Sequence, residues 1–573
     1  MKTILGYLKN LRGKMLVVLT IKIFGTLSEL MLPYILSHIL KNVIVRGIKS
    51  IVLWGVLMIV CSGIACICNI VANRMAAAIS KVFAKNMRND LFSKTLYLSA
   101  HQTDEFTIPS LESRITSDTY NVHNFVNMMQ RMGVRAPILL IGGLAITMIM
   151  DMRLALVMIG ILPFMFATIF CISSKGIPLY TKVQKSVDRM VRVVREDVQG
   201  MRVIKALSKS DYEHKRYDEV NRELIGKETR AGVIMGTVNP IMSTLMNIGS
   251  VGVIALGAYW VGKGLSDPEN IIAFMQYFNL ISMAMMGMTR MFMMYTKFAA
   301  SSKRIAEVLN TPEDITIASK DEYPDISTEN HIVFKDVHFS YTGKYENLKD
   351  ISFDVKKGGS LGIIGATGSG KSTIIKLLMR FYDVTKGGVY INGEDIRTIE
   401  PERLYSMFGS AMQYDFLYAD TIEENISFGR DLPRKDIIEA VKTAQAYEFI
   451  KEFEDGYEHM LSQHGANISG GQKQRTLISR ALAGKPDIVV LDDSSSALDY
   501  RTDAKLRSAL SENLENTTVI TVAQRVSSVK DCDTILVVEK GEIIGLGTHE
   551  HLMATCSEYK EISDSQMGGA FVE

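Results

Sequence analysis

Six stretches of mostly apolar residues occupy the first half of the sequence, and they constrain the fold more than any other feature. The stretches are Met15–Leu40, Ile51–Val71, Ala136–Met150, Leu154–Ser174, Gly232–Val261 and Ile271–Phe298. A helix needs about 20 residues to cross the hydrocarbon core of a bilayer. The third stretch is short, and we expect it to extend at its N-terminal end. The pattern predicts an integral membrane protein with six spans.

The connections between these stretches predict the orientation of the chain. About 65 polar residues separate the second and third stretches, and about 55 separate the fourth and fifth. Both connections are rich in lysine and arginine just after a stretch ends, as at Lys81, Arg88, Lys182 and Arg189. The positive-inside rule places such segments in the cytoplasm. With six spans, we expect both chain termini in the cytoplasm, and we expect a bacterial cell membrane.

The sequence changes character after about residue 300. Short β-rich runs such as Ser360–Ile364 and Asp487–Leu491 alternate with helical patterns there, which is typical of an α/β domain with a mainly parallel sheet. We therefore predict a transmembrane domain over residues 1–310, a linker over 311–330 and an α/β domain over 331–573. The chain carries 64 basic and 62 acidic residues. This near balance gives no reason to expect nucleic acid as a partner.

A glycine-rich loop begins where the strand Ser360–Ile364 is predicted to end. It reads Gly365, Ala366, Thr367, Gly368, Ser369, Gly370, Lys371, Ser372, and a helical run from Thr373 follows. The pattern Gly-x4-Gly-Lys-Ser/Thr is the phosphate-binding loop, in which backbone N–H groups converge on phosphate oxygens at a helix N-terminus. Lys371 can reach the β- and γ-phosphates of ATP, and Ser372 can ligate Mg²⁺.

Two further motifs complete this pattern. Four apolar residues precede Asp492, which lies 121 residues after Lys371 and can hold the Mg²⁺ that bridges the phosphates. The segment Ser469-Gly470-Gly471-Gln472 ends 20 residues before Asp492. It can present a hydroxyl and bare backbone amides to a phosphate at a helix start. At this point the sequence resembles the ATP-binding cassette (ABC) family, whose signature is Leu-Ser-Gly-Gly-Gln; Ile468 replaces the leucine.

The resemblance covers essentially the whole chain and implies an exporter half-transporter: six membrane helices fused to an α/β phosphate-loop ATPase, with ATP and Mg²⁺ as cofactors. It also implies that Tyr341 stacks on adenine and that Gln413 contacts Mg²⁺, together with Ser372 and Asp492. Ser496–Asp499 resembles the loop that signals across the cassette dimer. The sequences of residues 110–118 and 196–205 resemble those that the family has near its two coupling helices. The residues assigned to nucleotide binding are Tyr341, Gly365, Ala366, Thr367, Gly368, Ser369, Gly370, Lys371, Ser372, Thr373, Gln413, Asp492, Ser469, Gly470, Gly471 and Gln472.

Two departures from the family affect the catalytic positions. The residue after Asp492 is normally the glutamate that polarises the attacking water, and here it is Asp493. The family's histidine after a Val-Ala pair is Gln524 here, which cannot carry a proton near neutral pH. ATP sites in this family combine the phosphate loop of one subunit with the signature of the other. We therefore expect a heterodimer, in which this chain's own site is slow and its signature completes an active site on a second half-transporter. A homodimer remains open.

The transported molecule is less constrained by the sequence. The last stretch is rich in methionine, including Met286 and Met293, and methionine suits surfaces that accept varied apolar ligands. Arg290 lies among these methionines and could meet an anionic substrate or a structural acid. Lipid-facing or core packing is an equally open role for the methionines. We expect export of hydrophobic or amphipathic small molecules, of the multidrug type; a lipid flippase, a peptide exporter and an ATP-gated regulatory protein are the alternatives.

Overall fold

The structure is a computed structural model, which describes residues 2–44, 47–413, 415–494 and 496–567, without the side chains of residues 289, 292, 293 and 567. The chain divides into two compact units. The first unit, called the membrane unit here, comprises Met1–Tyr97 and Phe106–Thr311. The second, called the cassette, comprises Leu98–Glu105 and Pro312–Glu573.

The first half of the described chain is helical. Its α-helices are α1 (Lys2–Gly6), α2 (Arg12–His38), α3 (Ile48–Leu96), α4 (Ala100–Phe106), α5 (Ile108–Ser113), α6 (Thr119–Met150), α7 (Met152–Gln199), α8 (Met201–Ala206), α9 (Ser210–Gly236), α10 (Val238–Gly262) and α11 (Pro268–Leu309). Two π-helical turns, Ile39–Val43 and Arg114–Asp118, continue α2 and precede α6.

Six helical segments among the described residues are long and apolar enough to cross a membrane. They are Lys2–Val43, Ile48–Leu96, Ile108–Met150, Met152–Gln199, Ser210–Gly262 and Pro268–Met288. Each contains one of the six apolar stretches of the sequence or overlaps it. The chain is therefore a multi-pass membrane protein.

The helices run far beyond the apolar stretches. Helix α3 has 49 residues, and at 1.5 Å per residue it is about 74 Å long, more than twice the hydrocarbon thickness. Helix α7 likewise continues from its apolar part through the basic segment to Gln199. The long polar connections are thus extensions of the membrane helices. The third stretch does extend at its N-terminal end, since α6 begins at Thr119.

The membrane unit is held together by packing of α2 against α3 and α6, of α6 against α11, and of α7 against α9 and α10. Tyr277 on α11 is fully buried, and its hydroxyl donates to the carbonyl oxygen of Leu30 on α2 at 2.7 Å. This bond and the surrounding apolar side chains fix α11 against α2.

The cassette contains two sheets. One has the strand order β2-β1-β4-β5, formed by β1 (Ile332–Phe339), β2 (Leu348–Val355), β4 (Lys386–Ile391) and β5 (Glu394–Asp395). The other has the order β10-β9-β3-β8-β7-β6, formed by β3 (Ser360–Ile364), β6 (Phe408–Ala411), β7 (Ile488–Asp492), β8 (Thr518–Val522), β9 (Thr534–Glu539) and β10 (Glu542–Gly547).

Strands β9, β3, β8, β7 and β6 pair in parallel. The cassette helices are α12 (Lys371–Leu378), α13 (Pro401–Ser406), α14 (Ile422–Ser427), α15 (Arg434–Thr443), α16 (Tyr447–Glu452), α17 (Gly470–Ala483), α18 (Tyr500–Asn513), α19 (His549–Thr555) and α20 (Ser557–Met567). Every residue of β7 is buried, as expected for a central parallel strand. The parallel sheet brings the carboxyl ends of β3 and β7 to one edge, where the phosphate-binding loop and Asp492 lie.

Candidate nucleotide-binding site

The phosphate-binding loop connects β3 to α12 and depends on its glycines. Gly370, the N-cap residue of α12, has φ of 111°, a conformation that residues with a side chain rarely adopt. A Cβ atom on Gly365 would lie 2.1 Å from the carbonyl oxygen of Val538. Gly365 therefore allows the loop to pass close to β9, and Gly370 allows it to turn into the helix.

The lysine of the loop is folded against its own backbone. Lys371 Nζ donates to the carbonyl oxygens of Gly365 and Ala366, both at 2.8 Å. Burial lowers the pKa of Lys371, while the nearby carboxylates of Asp492 and Asp493 oppose this shift. The ammonium group is thus positioned at the mouth of the loop, where it can meet phosphate oxygens.

A cavity of about 190 Å³ lies at the carboxyl edge of the sheet. It is lined by Asn347, Thr367, Gly368, Gly370, Lys371, Ser372, Thr373, Gln413, Asp492, Asp493, Val522, Ala523 and Gln524. Most of the predicted phosphate-loop residues, the Mg²⁺ candidates and both catalytic candidates therefore meet in one place; Gly365, Ala366 and Ser369 are not in the lining of this cavity. Asn347 was not predicted; it precedes β2, and its Oδ1 accepts a hydrogen bond from the backbone N–H of Tyr341 at 3.1 Å. Nothing in its local sequence marks it as a site residue.

The two acids of the cavity have different surroundings. Asp492 ends β7 and is only 3% exposed. Burial raises its pKa and the neighbouring Asp493 acts in the same direction, while a hydrogen bond from Ser372 opposes the shift. A carboxylate this buried, next to a second acid and a serine hydroxyl, fits the coordination of a divalent cation. Ser372 and Asp492 are thus suited to hold Mg²⁺ beside the phosphates.

Asp493 is half-buried and lies between two side-chain amides. Gln413 Nε2 and Gln524 Nε2 both donate to the same oxygen, Oδ2 of Asp493, at 3.2 Å each. Burial raises the pKa of Asp493, and the hydrogen bond from Gln413 and the charge of Lys371 oppose that shift. Asp493 also has φ of 52°, a strained conformation for a residue other than glycine. The carboxylate is therefore fixed in place by the two glutamines.

Tyr341 lies beside this cavity, in a group of aromatic side chains. Its ring meets Phe339 and Tyr382 edge-on, with centroid distances of 4.7 and 5.1 Å. Its hydroxyl is 3.3 Å from Oγ1 of Thr373 on α12. Tyr341, Tyr382 and His101 line a separate cavity of about 270 Å³. A planar base could lie against these rings.

The signature residues lie elsewhere in the cassette. Ser469 is the N-cap residue of α17, and it forms a capping box with Gln472. Gln472 N–H donates to Ser469 Oγ at 3.2 Å, and Ser469 N–H donates to Gln472 Oε1 at 2.9 Å. Within the described part of the chain, Ser469–Gln472 do not line the cavity at Lys371. The structure therefore assembles the phosphate-loop side of the site without the signature.

The three candidate substrate residues, Met286, Arg290 and Met293, lie on α11. Met286 is 40% exposed and Arg290 is also exposed, and neither lines one of the described cavities. The side chain of Met293 lies outside the described residues. Met283 and Met291 each line a cavity of the membrane unit instead.

Comparison with known proteins bears on both halves of the chain. Residues 15–285 match the family model described as ABC transporter transmembrane region, and residues 348–496 match the model described as ABC transporter. An uncharacterized ABC transporter ATP-binding protein of Mycobacterium tuberculosis (strain CDC 1551 / Oshkosh) is 31% identical over 99% of this chain and 98% of its own length. The chain belongs to the ABC transporter family. An ABC transporter binds ATP and couples its hydrolysis to transport.

Other relatives agree with this assignment. The uncharacterized ABC transporter ATP-binding protein YfiB of Bacillus subtilis (strain 168) is 33% identical over 94% of this chain and 94% of its own length. A solved structure of a bacterial Atm1-family ABC exporter with ATP bound covers 98% of this chain and 100% of its own, with a TM-score of 0.82 and 22% identity. The ABC exporter fold predicted from the sequence, six membrane helices fused to an α/β ATPase, is therefore confirmed.

Proposed function

We propose that this ABC transporter chain is one half of a heterodimeric exporter in which its own ATP site hydrolyses slowly. The observation that carries the proposal is the position of Asp493 between the amides of Gln413 and Gln524. The chain would lie in a bacterial cell membrane with both termini in the cytoplasm. Export would act on hydrophobic or amphipathic small molecules.

The slow site follows from the chemistry of a general base. Such a group must reach the proton of the attacking water with a free lone pair. Asp493 is one methylene shorter than the family's glutamate, and its Oδ2 already accepts two hydrogen bonds. Gln524 replaces the histidine and cannot take up a proton. Both differences weaken hydrolysis while the phosphate-binding loop stays intact.

The binding function of the site is supported by its other residues. Lys371 and the loop backbone would hold the phosphates, and Tyr341 would stack on adenine. Ser372, Gln413 and Asp492 would hold Mg²⁺, which when bound offsets the charge of the phosphates. Asn347, which shares the cavity with them, joins this set.

The partner site is supported by the intact signature. The capping box closes the first turn of α17 at Ser469, and Ser469 and Gly470 are exposed. A helix N-terminus of this kind favours a phosphate. We infer that it completes an ATP site on a second half-transporter, whose own loop carries glutamate and histidine at the two catalytic positions.

Purification of the full chain, alone and with a co-expressed second half-transporter, tests the proposal. The chain alone should hydrolyse ATP slowly, and the assembled pair should hydrolyse it rapidly with stimulation by a transported substrate. Rapid hydrolysis by the chain alone as a homodimer would contradict the heterodimer. ATP turnover without uptake of any substrate into vesicles would favour the regulatory alternative.

A further inference from the structure

A group of three cations lies inside the membrane unit. Lys22 on α2 is 3% exposed, and its Nζ donates to Oδ1 of Asn69 at 2.7 Å and of Asn73 at 3.1 Å. Arg131 on α6 donates to the same Asn73 oxygen at 3.3 Å. Arg135, one turn further along α6, is the third cation. Two of the three cations therefore have neutral partners.

One acid belongs to this group. Glu29 Oε1 accepts from Arg135 Nη2 at 2.6 Å. Within the described residues, two buried atoms of this pair find no hydrogen-bond partner, Arg135 Nε and Glu29 Oε2. Lys22, Arg131 and Arg135 together with Glu29 leave a net charge of +2. Lys22 is the buried member of this group, whereas Arg131 is exposed and Arg135 partly exposed. An excess of positive charge beside a buried lysine in a membrane helix favours an anion.

The three cations line one pocket, called the cationic pocket here. Its volume is about 280 Å³, and its remaining wall includes Leu139, Leu280 and Met283. None of the described residues that line it is acidic. The pocket thus offers charge on one side and an apolar wall on the other.

A second cavity, called the apolar groove here, is lined mainly by α2, α6 and α11. It has a volume of about 830 Å³. Its lining includes Leu16 and Val18 of α2, Phe125 and Val134 of α6, and Tyr295 of α11. Two polar side chains, Arg12 and Gln130, also line it. Val18 is one helical turn, about 6 Å, before Lys22. On α6, Gln130 and Val134 of the groove directly precede Arg131 and Arg135 of the cationic pocket. The two cavities are therefore neighbours along α2 and α6.

We propose that these two cavities form one binding site for a monoanionic amphiphile with a single apolar chain. The carboxylate, sulfonate or phosphodiester group would lie among Lys22, Arg131 and Arg135, and the apolar chain would lie in the groove. This inference rests on the proposed export function and names the chemistry of the transported molecule. It also explains why Lys22 is retained inside a membrane helix.

Charge complementarity argues for this occupant over a second copy of the chain. A second copy would bring the same three cations to the site, and like charges in a low-dielectric environment repel strongly. A neutral hydrophobic ligand would fill the apolar groove but leave the net charge of the cationic pocket unchanged. An anionic head would offset the charge of the cationic pocket, and its apolar chain would fill the apolar groove.

Binding of 11-(dansylamino)undecanoic acid to the full chain in phosphatidylcholine nanodiscs, without nucleotide, tests the proposal. Its methyl ester is the matched neutral probe. The acid should bind at least about tenfold more tightly than the ester, since hydrogen bonds to a charged group are the stronger ones. Arg131→Gln, at an exposed side chain, should remove most of this difference and leave ester binding unchanged.

Lys14→Gln is the control variant, because it removes a positive charge from an exposed position of the same helix, outside both cavities. It should leave both affinities unchanged. Equal affinity for acid and ester, or an Arg131→Gln variant that binds the acid normally, would overturn the proposal. A second set of nanodiscs contains phosphatidylglycerol as well. If the acid fails to bind and phosphatidylglycerol alone occupies the site there, a diacyl lipid is the occupant and the proposal is wrong.

The assay separates this inference from the proposed function because it needs no ATP. Charge-dependent binding without ATP-driven uptake of the acid would contradict the export function and leave the binding site standing. ATP-driven uptake of the ester and the acid at equal rates would support export and overturn the anion site.

Discussion

At the scale of single residues, the side chain of Asp493 connects the sequence to the proposed chemistry. It follows the buried Asp492, and its Oδ2 is shared by two amides 80 and 31 residues away in the chain. A longer carboxylate at this position would extend past the two amides toward the phosphate-binding loop. The length of the side chain at position 493 can thus be changed by a single substitution.

The substitution Asp493→Glu should raise ATP hydrolysis at this chain's own site. Positioned acid–base catalysis contributes about 10²–10⁴-fold, and we expect at least about tenfold of it to return. The measurement is ATP turnover of the assembled transporter in which the partner's catalytic glutamate has been replaced by glutamine. Asp493→Asn serves as the control and should show no increase. An unchanged rate for Asp493→Glu would mean that Gln524 limits the site.

His331 gives a prediction on pH. It is 2% exposed, and its Nδ1 is 2.7 Å from Oγ1 of the buried Thr518. Burial lowers the pKa of His331, with a smaller opposing effect from Asp487. The unfolded chain therefore binds a proton more readily than the folded one. The stability of the cassette should fall as the pH drops below about 6.5.

His331→Asn should reduce this loss of stability in acid, because the amide can keep the contact with Thr518 but cannot be protonated. Thermal unfolding of the full chain between pH 7.5 and 5 measures the effect. The matched control is His464→Asn, since His464 is exposed. An equal acid sensitivity in wild type and His331→Asn would contradict the assigned role.

Much of the nucleotide site could be predicted at this scale. The loop pattern identified Lys371 and Ser372, because a phosphate-binding loop fixes its residue types at consecutive positions. Asp492 followed from its distance to that loop and to the signature, and Asp493 from the resemblance to the ABC family. Asn347 was missed, since its place in the cavity depends on the pairing of β1 with β2. The mutual contact of Gln413, Asp493 and Gln524 also arises only when three separate strands end at one edge.

At the scale of elements, the segment Leu98–Glu105 belongs to the cassette although it lies between two membrane helices. Three side chains fasten it there. Ser99 Oγ donates to Asp314 at 2.8 Å, Gln102 Nε2 donates to the carbonyl oxygen of Pro312 at 2.7 Å, and Tyr382 Oη donates to Asp104 at 2.5 Å. Tyr382 also meets Tyr341, so the segment is connected to the proposed adenine site.

Tyr382→Phe should loosen this segment. A hydrogen bond to a charged group contributes about 1.5–3 kcal/mol, so amide hydrogen exchange over residues 98–105 should become about tenfold faster or more. Hydrogen-exchange mass spectrometry of the full chain measures it. Tyr405→Phe is the control, because Tyr405 is 44% exposed. Unchanged exchange over residues 98–105 in Tyr382→Phe would show that the other two bonds suffice.

The sequence predicted the existence of the membrane helices well and their ends poorly. Apolar composition marks only the part inside the bilayer, whereas α3 and α7 continue as polar helices that no hydropathy pattern delimits. The first long connection was expected to be helical, but the short helix α4 was not placed within it; residues 110–118 and 196–205 were singled out instead. The position of α4 is fixed only by contacts with Asp314, Pro312 and Tyr382, which are distant in the sequence.

At the scale of the whole molecule, the two proposals assign different roles to the two units of one half-transporter. The cassette would bind ATP at its own slowly hydrolysing site, and its signature would complete a faster ATP site on the partner. The membrane unit would select an amphiphile by its negative charge and apolar chain. The family and its fold followed from motifs and apolar stretches, but the cationic pocket required structure, because Lys22, Arg131 and Arg135 belong to two different helices.

The central claim is that this chain hydrolyses ATP slowly in its own site and completes a fast site on its partner. A comparison of two variants tests this claim most directly. Asp493→Asn disables the chain's own base, and Ser469→Ala removes the signature hydroxyl that would face the partner's phosphate. In the assembled transporter, Ser469→Ala should lower ATP turnover by about 10²-fold, the cost of losing one transition-state donor, and Asp493→Asn should leave it nearly unchanged. Equal and large losses in both variants would contradict the account.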